Sequence, residues 1–181
     1  MIFDKEFKSL RSLDAGEYEA CTFTNCSFTE LDLSKIIFTE CAFDNCDLSL
    51  SKINNTAFRE VHFKNCKLLG LRFDECNQFL LAFRFTSCVL NFASFYKLKL
   101  KNTRFEECRL EEVEFTEADL TKAIFNNCDL ERAVFENSIL DKADFRTSFN
   151  FSINPEFNSI AKAKFSSNGL RGLLEKYNII V

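Results

Sequence analysis

From Cys21 the chain reads CTFTN CSFTE LDLSK IIFTE CAFDN CDLSL, with a large apolar residue at every fifth position. The residue two before each of these centres is usually small or apolar. The centres run Tyr18, Phe23, Phe28, Leu33, Phe38, Phe43, Leu48, Ile53, Phe58, Phe63, Leu68 and Phe73. After a slip of two residues they resume at Phe85 and continue through Leu90, Phe95, Leu100, Phe105, Leu110, Phe115, Leu120, Phe125, Leu130, Phe135, Leu140 and Phe145. A period of five fits neither a helix at about 3.6 nor a strand at about 2. It predicts a chain that turns a corner every five residues and points two of each five inward.

A slower period sets the size of one turn of the chain. Cys26, Cys46, Cys66, Cys88, Cys108 and Cys128 each precede a centre by two, at steps of 20 with a single step of 22. Four pentapeptides therefore close one coil, and like residues stack on like. The expected structure is a parallel, in-register stack with about 4.8 Å between coils. Residues 16–147 make about six and a half coils, a rod of roughly 30 Å. Residues 1–15 are expected to cap its N-terminal end. The slip, near 74–84 in the stretch DECNQFLLAFRF, predicts a bump where a centre falls due near position 78, as a contact point or a tolerated insertion.

After Phe145 the repeat stops, and Pro155 is expected to close off the stack. Ser166, Ser167 or Asn168 then caps a short helix carrying Leu170, Leu173, Leu174 and Tyr177 at i, i+3, i+4 and i+7. The chain ends on Ile179, Ile180 and Val181. Apolar ends of this kind plug the rod, or dimerise around a twofold axis, or do both. Residues 148–181 are thus read as a capping and dimerisation segment, with Leu170, Leu173, Leu174, Tyr177, Ile179 and Ile180 as its dimerisation residues.

Composition adds constraints. Phe numbers 23 and Cys 9, but Gly only 4 and Pro only 1. So few turn formers suggest one repeated turn geometry that most residues adopt. No two cysteines have the two-to-four-residue spacing usual in zinc sites. Stacked Cβ atoms near 4.8 Å apart lie beyond the usual disulfide range of about 3.5–4.5 Å. The cysteines are read as free thiols packing a core in a reducing cytoplasm. Met1 is followed by IFDKEFKSL, charged where a signal peptide is apolar, and no run approaches the roughly 18–20 apolar residues of a membrane span. His62, the only histidine, has no acid or nucleophile forced beside it. No phosphate loop or nucleophile elbow is present. No catalytic residue, metal or cofactor is expected, and the net charge of −4 argues against direct nucleic-acid binding.

The charge is unevenly divided. Residues 1–102 balance 13 acids against 13 bases, whereas 103–145 carry 12 acids and 5 bases, a net of −7. The acids concentrate in one coil as Glu106, Glu107, Glu111, Glu112, Glu114, Glu117 and Asp119, all at outward positions on adjacent sides. One reading is a solvated surface that prevents aggregation. The other is an imitation of duplex DNA, which carries about one charge per 1.7 Å.

The repeat resembles the pentapeptide-repeat proteins over residues 16–147, and the resemblance implies an all-β fold, a right-handed quadrilateral parallel β-helix with 20-residue coils. INPEFNSI followed by GLRGLLEKYNIIV resembles the tail of the topoisomerase-directed group in that family. That group includes the Qnr-type quinolone-resistance proteins and the immunity protein against a gyrase-poisoning microcin. The resemblance implies a head-to-head homodimer whose acidic rod imitates DNA on DNA gyrase or topoisomerase IV. Long projecting loops, which many Qnr proteins use in drug protection, are replaced here by the two-residue slip. Inhibition, toxin immunity and quinolone resistance all stay open, as does a general protein-interaction scaffold with another partner.

Overall fold

The computed structural model describes residues 1–179. They form a right-handed β-solenoid of four-sided coils joined by parallel, in-register pairing. The first side is a seven-stranded parallel sheet whose strands include Thr22–Thr24, Ala42–Asp44, Val61–Lys64, Phe83–Thr86 and Arg104–Glu106. The fourth side begins as a four-stranded sheet, Ile2–Phe3, Glu17–Glu19, Ile37–Thr39 and Ala57–Arg59. The second and third sides are ladders of single bridges, such as Lys67 to Val89 to Arg109 to Asp129 on the second. A short helix, Arg171–Leu174, flanked by 3-10 turns, follows the last coil.

Every centre from Tyr18 to Phe145 is buried. On the first side the rings stack down the rod, Phe23 to Phe43 at 4.7 Å and Phe105 to Phe125 at 4.9 Å between centroids. Rings of the third side meet them edge-on, as Phe105 does Phe115 at an interplanar angle of 82°. Such pairs add about 0.5–1.5 kcal/mol each beyond the area they bury. The small inward residues have a second task. Cys66 donates to the Phe43 carbonyl at 3.3 Å and Cys128 to that of Phe105 at 3.3 Å. Ser148 continues the cysteine column and donates to Phe125 at 2.6 Å, while Thr56 on another side donates to Leu33 at 2.7 Å. Buried polar groups are thereby satisfied inside an otherwise apolar core.

The corners share one repeated geometry, as the scarcity of turn formers suggests, and that geometry is strained. Corner residues are left-handed, with φ near +55°, and almost all are not glycine: Asn25, Asn45, Asn65 and Asn127, but also Leu50, Glu60, Phe92 and Lys122. This conformation costs an ordinary residue about 1–2 kcal/mol. The stack holds it in place, because the corner N–H donates into the next coil, as from Lys122 to the Asp141 carbonyl at 2.8 Å. Gly70 holds one of these corners at φ +62°, where a Cβ would fall 2.8 Å from the exposed Leu50 side chain and displace it.

The two ends and the slip depart from the regular 20-residue count. Residues 1–15 enter the stack, with Ile2 paired to Tyr18 and Phe7 to Phe23. Those steps are 16 residues, so this short first coil is out of phase with the 20-residue count. Pro155 does not end the ladder either. Ser159 bridges Ile139, Lys164 bridges Asp144, and Phe165 stacks on Phe145 at 5.3 Å. At the slip, Gln78 is exposed in place of a centre, and Phe79 and Leu80 project at 66% and 64% exposure. The core is closed instead by Phe83, which occupies the small inward position of the next pentapeptide, in register with Val61. Its ring reaches Phe58 at 5.7 Å and Phe73 at 5.0 Å.

Two outcomes are expected. Phe83→Ala opens a void that Gln78 does not fill and lowers stability by about 3–5 kcal/mol in urea unfolding, whereas Phe79→Ala changes it by less than about 1 kcal/mol. The thiols give the second. Burial pushes Cys41 up from an ordinary 9.0 to about 11. The stacked thiol of Cys108, together with burial, raises Cys88 to about 12. The folded chain thus keeps protons that the unfolded chain loses. This contribution to stability is complete below about pH 9 and falls as pH rises through about 11 to 12. Urea midpoints measured from pH 8 to 11 should fall, and a chain with Cys66 and Cys88 both changed to Ala should lose less of its midpoint over that range.

Candidate functional site

The seven acids of the 106–119 stretch occupy outward positions, and the register spreads them around the rod. Glu106 ends a strand on the first side, and Glu107 is the corner after it. Glu111 and Glu112 lie at the next corner, Glu114 on the third side, Glu117 at the corner following, and Asp119 on the fourth side. They form a girdle.

Each already has a partner, drawn mostly from the coil before or after. Arg132 lies against Glu111 and is 3.1 Å from Glu112. Lys97 is 3.4 Å from Glu117, Lys101 3.2 Å from Asp119, and Arg104 3.7 Å from Glu106. Ser87 donates to Glu107 and Ser94 to Glu114, both at 3.0 Å. Partial burial works against the Asp119 carboxylate, but hydrogen bonds from Thr121 and Lys101 hold it below its ordinary range. Exposed ion pairs of this kind contribute about 0–1 kcal/mol each, so they soften the field more than they stabilise the fold.

Acids that sequence reading left out complete one flank. The corner N–H of Glu112 donates to the Glu131 carbonyl, and that of Glu117 to Glu136. Asp129 bridges Arg109. Glu111, Glu112, Glu114 and Glu117 therefore share the second and third sides with Asp129, Glu131 and Glu136. Against these seven carboxylates stand Arg109 and Arg132, over two coils or about 10 Å. Duplex DNA places about six charges in that length. A 20-residue alignment of the sequence reveals this flank; a count along the chain does not.

The C-terminal end is the second candidate surface. Leu173 packs on the core and Leu174 is half-buried, whereas Leu170, Tyr177 and Ile179 are exposed, as are Phe149 and Phe157. Ile180 lies outside the described residues. Ser166 caps the turn, accepting from the Gly169 N–H at 3.1 Å. Tyr177 donates to Glu156 at 3.0 Å, and the Ile153 N–H donates to the Gly172 carbonyl at 2.9 Å. Gly172 is needed here: a Cβ would fall 2.1 Å from the Phe151 carbonyl oxygen. Between tail and last coil lies an open cavity of about 900 Å³, lined by Phe149, Phe151, Leu174 and Ile179 among others.

His62 is half-buried, with Nε2 3.1 Å from the Thr86 hydroxyl, and burial plus neighbouring Arg84 lower its pKa. The nine cysteines are free and buried. Among the described residues no group of His, Cys, Asp and Glu is placed to hold a metal ion, and no helix is long and apolar enough to cross a membrane.

Two solved structures of QnrB1, described as a plasmid-mediated fluoroquinolone resistance protein, share the fold. A trypsin-treated variant superposes with a TM-score of 0.67 at 18% identity, covering 99% of this chain and 96% of that one. The full-length form gives 0.66 at 18% identity, covering 98% and 99%. A comparison with curated protein sequences yields no match. The family described as pentapeptide repeat region matches residues 17–84 and again 81–149. With most of its length spanned by that match, the chain belongs to the pentapeptide-repeat family.

Proposed function

We propose that this protein is a non-enzymatic, cytoplasmic DNA mimic. It binds bacterial DNA gyrase or topoisomerase IV as a homodimer, giving inhibition, toxin immunity or quinolone resistance. The observation that carries this reading is the acidic flank on the second and third sides, whose charge per length approaches that of duplex DNA on a stiff support. The shared fold with a fluoroquinolone resistance protein supports the same direction. A basic groove shaped for a duplex meets on this flank carboxylates in place of phosphates, with no base edges to read. The exposed apolar tail supplies the dimer contact, and a twofold there sets two acidic flanks near the middle of one longer rod.

One observation favours the rival reading, a general interaction scaffold with another partner. Five of the seven acids first singled out are already ion-paired within the chain.

Supercoiling by gyrase, with protein titrated in, separates the two. Changing Glu114, Glu117, Glu131 and Glu136 to Lys is expected to raise the inhibitory concentration at least about tenfold, and salt is expected to weaken the parent's inhibition. Equal potency of parent and variant, or no effect of either on gyrase and topoisomerase IV, would leave the scaffold reading. For the dimer, Gly172→Ala is expected to displace the tail and reduce the sedimenting mass from two chains to one, with the β-sheet circular dichroism kept. A monomeric parent would sink this part of the proposal.

A further inference from the structure

The corner between the fourth and first sides is charged in opposite senses along its length. Its consecutive positions hold Glu40, Glu60, Leu80, Asn102, Lys122 and Lys142, all left-handed and all exposed. Acids occupy the N-terminal half, lysines the C-terminal half, and the projecting slip lies between them. Phe79 is held there by the Arg59 guanidinium, 5.7 Å from its ring centre. Two like-charged neighbours one coil apart repel, and in the girdle Glu117, Asp119 and Glu111 each meet a base from an adjacent coil, Lys97, Lys101 and Arg132. Among the described residues, Glu40, Glu60, Lys122 and Lys142 take part in no ion pair. A ridge with unpaired acid, apolar centre and unpaired base in sequence is complementary to its own reverse.

We propose that this ridge binds a second copy of the chain side by side and antiparallel. The twofold passes between the levels of Leu80 and Asn102. Glu60 of each copy then faces Lys122 of the other, and Glu40 faces Lys142. The two Leu80 side chains, one coil apart, cover one another together with Phe79. The contact is isologous, so each ion pair occurs twice. It is independent of the tail contact. Ridge against ridge buries less than the roughly 1,200–2,000 Å² of a standard interface, so the association is weak and salt-sensitive.

Carbodiimide coupling of the full-length protein at low salt, followed by peptide mass spectrometry, tests it. Glu60 and Lys122 of one chain lie three coils apart, about 14 Å, so a zero-length amide between them forms only across two chains. The expected products are amides joining Glu40 or Glu60 to Lys122 or Lys142. The paired variants Glu40→Lys with Glu60→Lys, and Lys122→Glu with Lys142→Glu, should each self-associate at least about tenfold more weakly by sedimentation velocity. Mixed in equal amounts they should recover the association, because every contact in the mixed pair is again between opposite charges. Both residue types already occupy other corners, such as Glu30 and Lys35, so the stack accommodates them. Links confined to the tail, or a mixture no better than its parts, overturns the proposal. So does undiminished association of both variants.

Discussion

At most corners of this rod the N–H of the left-handed residue donates to a carbonyl of the next coil, as Ala20 does to Thr39 nineteen residues further on. That bond between coils is the constraint on which the rest depends. It offsets the strain at the corners that make it, and it keeps the four sides in register so that phenylalanine meets phenylalanine. Inward cysteine, serine and threonine side chains reinforce it by donating to carbonyls of the coil before. The unusual composition follows: glycine is dispensable where neighbouring coils impose the conformation, and small donors are favoured where the core would otherwise bury an orphaned carbonyl.

The same register governs the electrostatics. Residues about twenty apart become neighbours, so Arg132 reaches Glu111 and Lys97 reaches Glu117. A stretch that looks uniformly acidic along the chain is partly neutralised in space, while acids two pentapeptides away join it. The surface that results has sides of different character. The second and third sides are acidic toward the C-terminal end, and the corner opposite them carries lysines at the same levels. Charge on this molecule is therefore a property of a side and a level, and net charge describes it poorly.

Much of this was legible in the residues. The fivefold and twentyfold periods specify coils, core columns and the cysteine stack, because stacking makes like residues recur at fixed steps. Three features escaped the count. The first coil has a 16-residue step, so Ile2 and Phe7 fall out of phase although they pair with Tyr18 and Phe23. Pro155 reads as a terminator, yet the columns resume at Asn158, which donates to the Phe135 carbonyl as an inward side chain should. Phe83 sits where a small residue is expected, and its role is apparent only once Gln78 is known to point outward. In each case a spatial position is filled by a residue from the wrong place in the count. The seven acids were read as one group because they are close in sequence; the structure disperses them around the girth.

The slip adds its two residues between Asn77, which bridges Ala57, and Phe83, which pairs with Val61, and Phe79 and Leu80 carry the extra length outside the core. Levels above and below it keep their spacing, since Phe63 and Phe85 still stack at 5.5 Å. The molecule thus behaves as a ruler graduated in coils. Its length changes only by whole graduations of about 4.8 Å, whereas what is written beside each mark can be altered by a short corner insertion without moving the scale. A partner that reads two separated marks at once would sense the gain or loss of a single coil as a misfit of about one graduation, even with every surface residue unchanged.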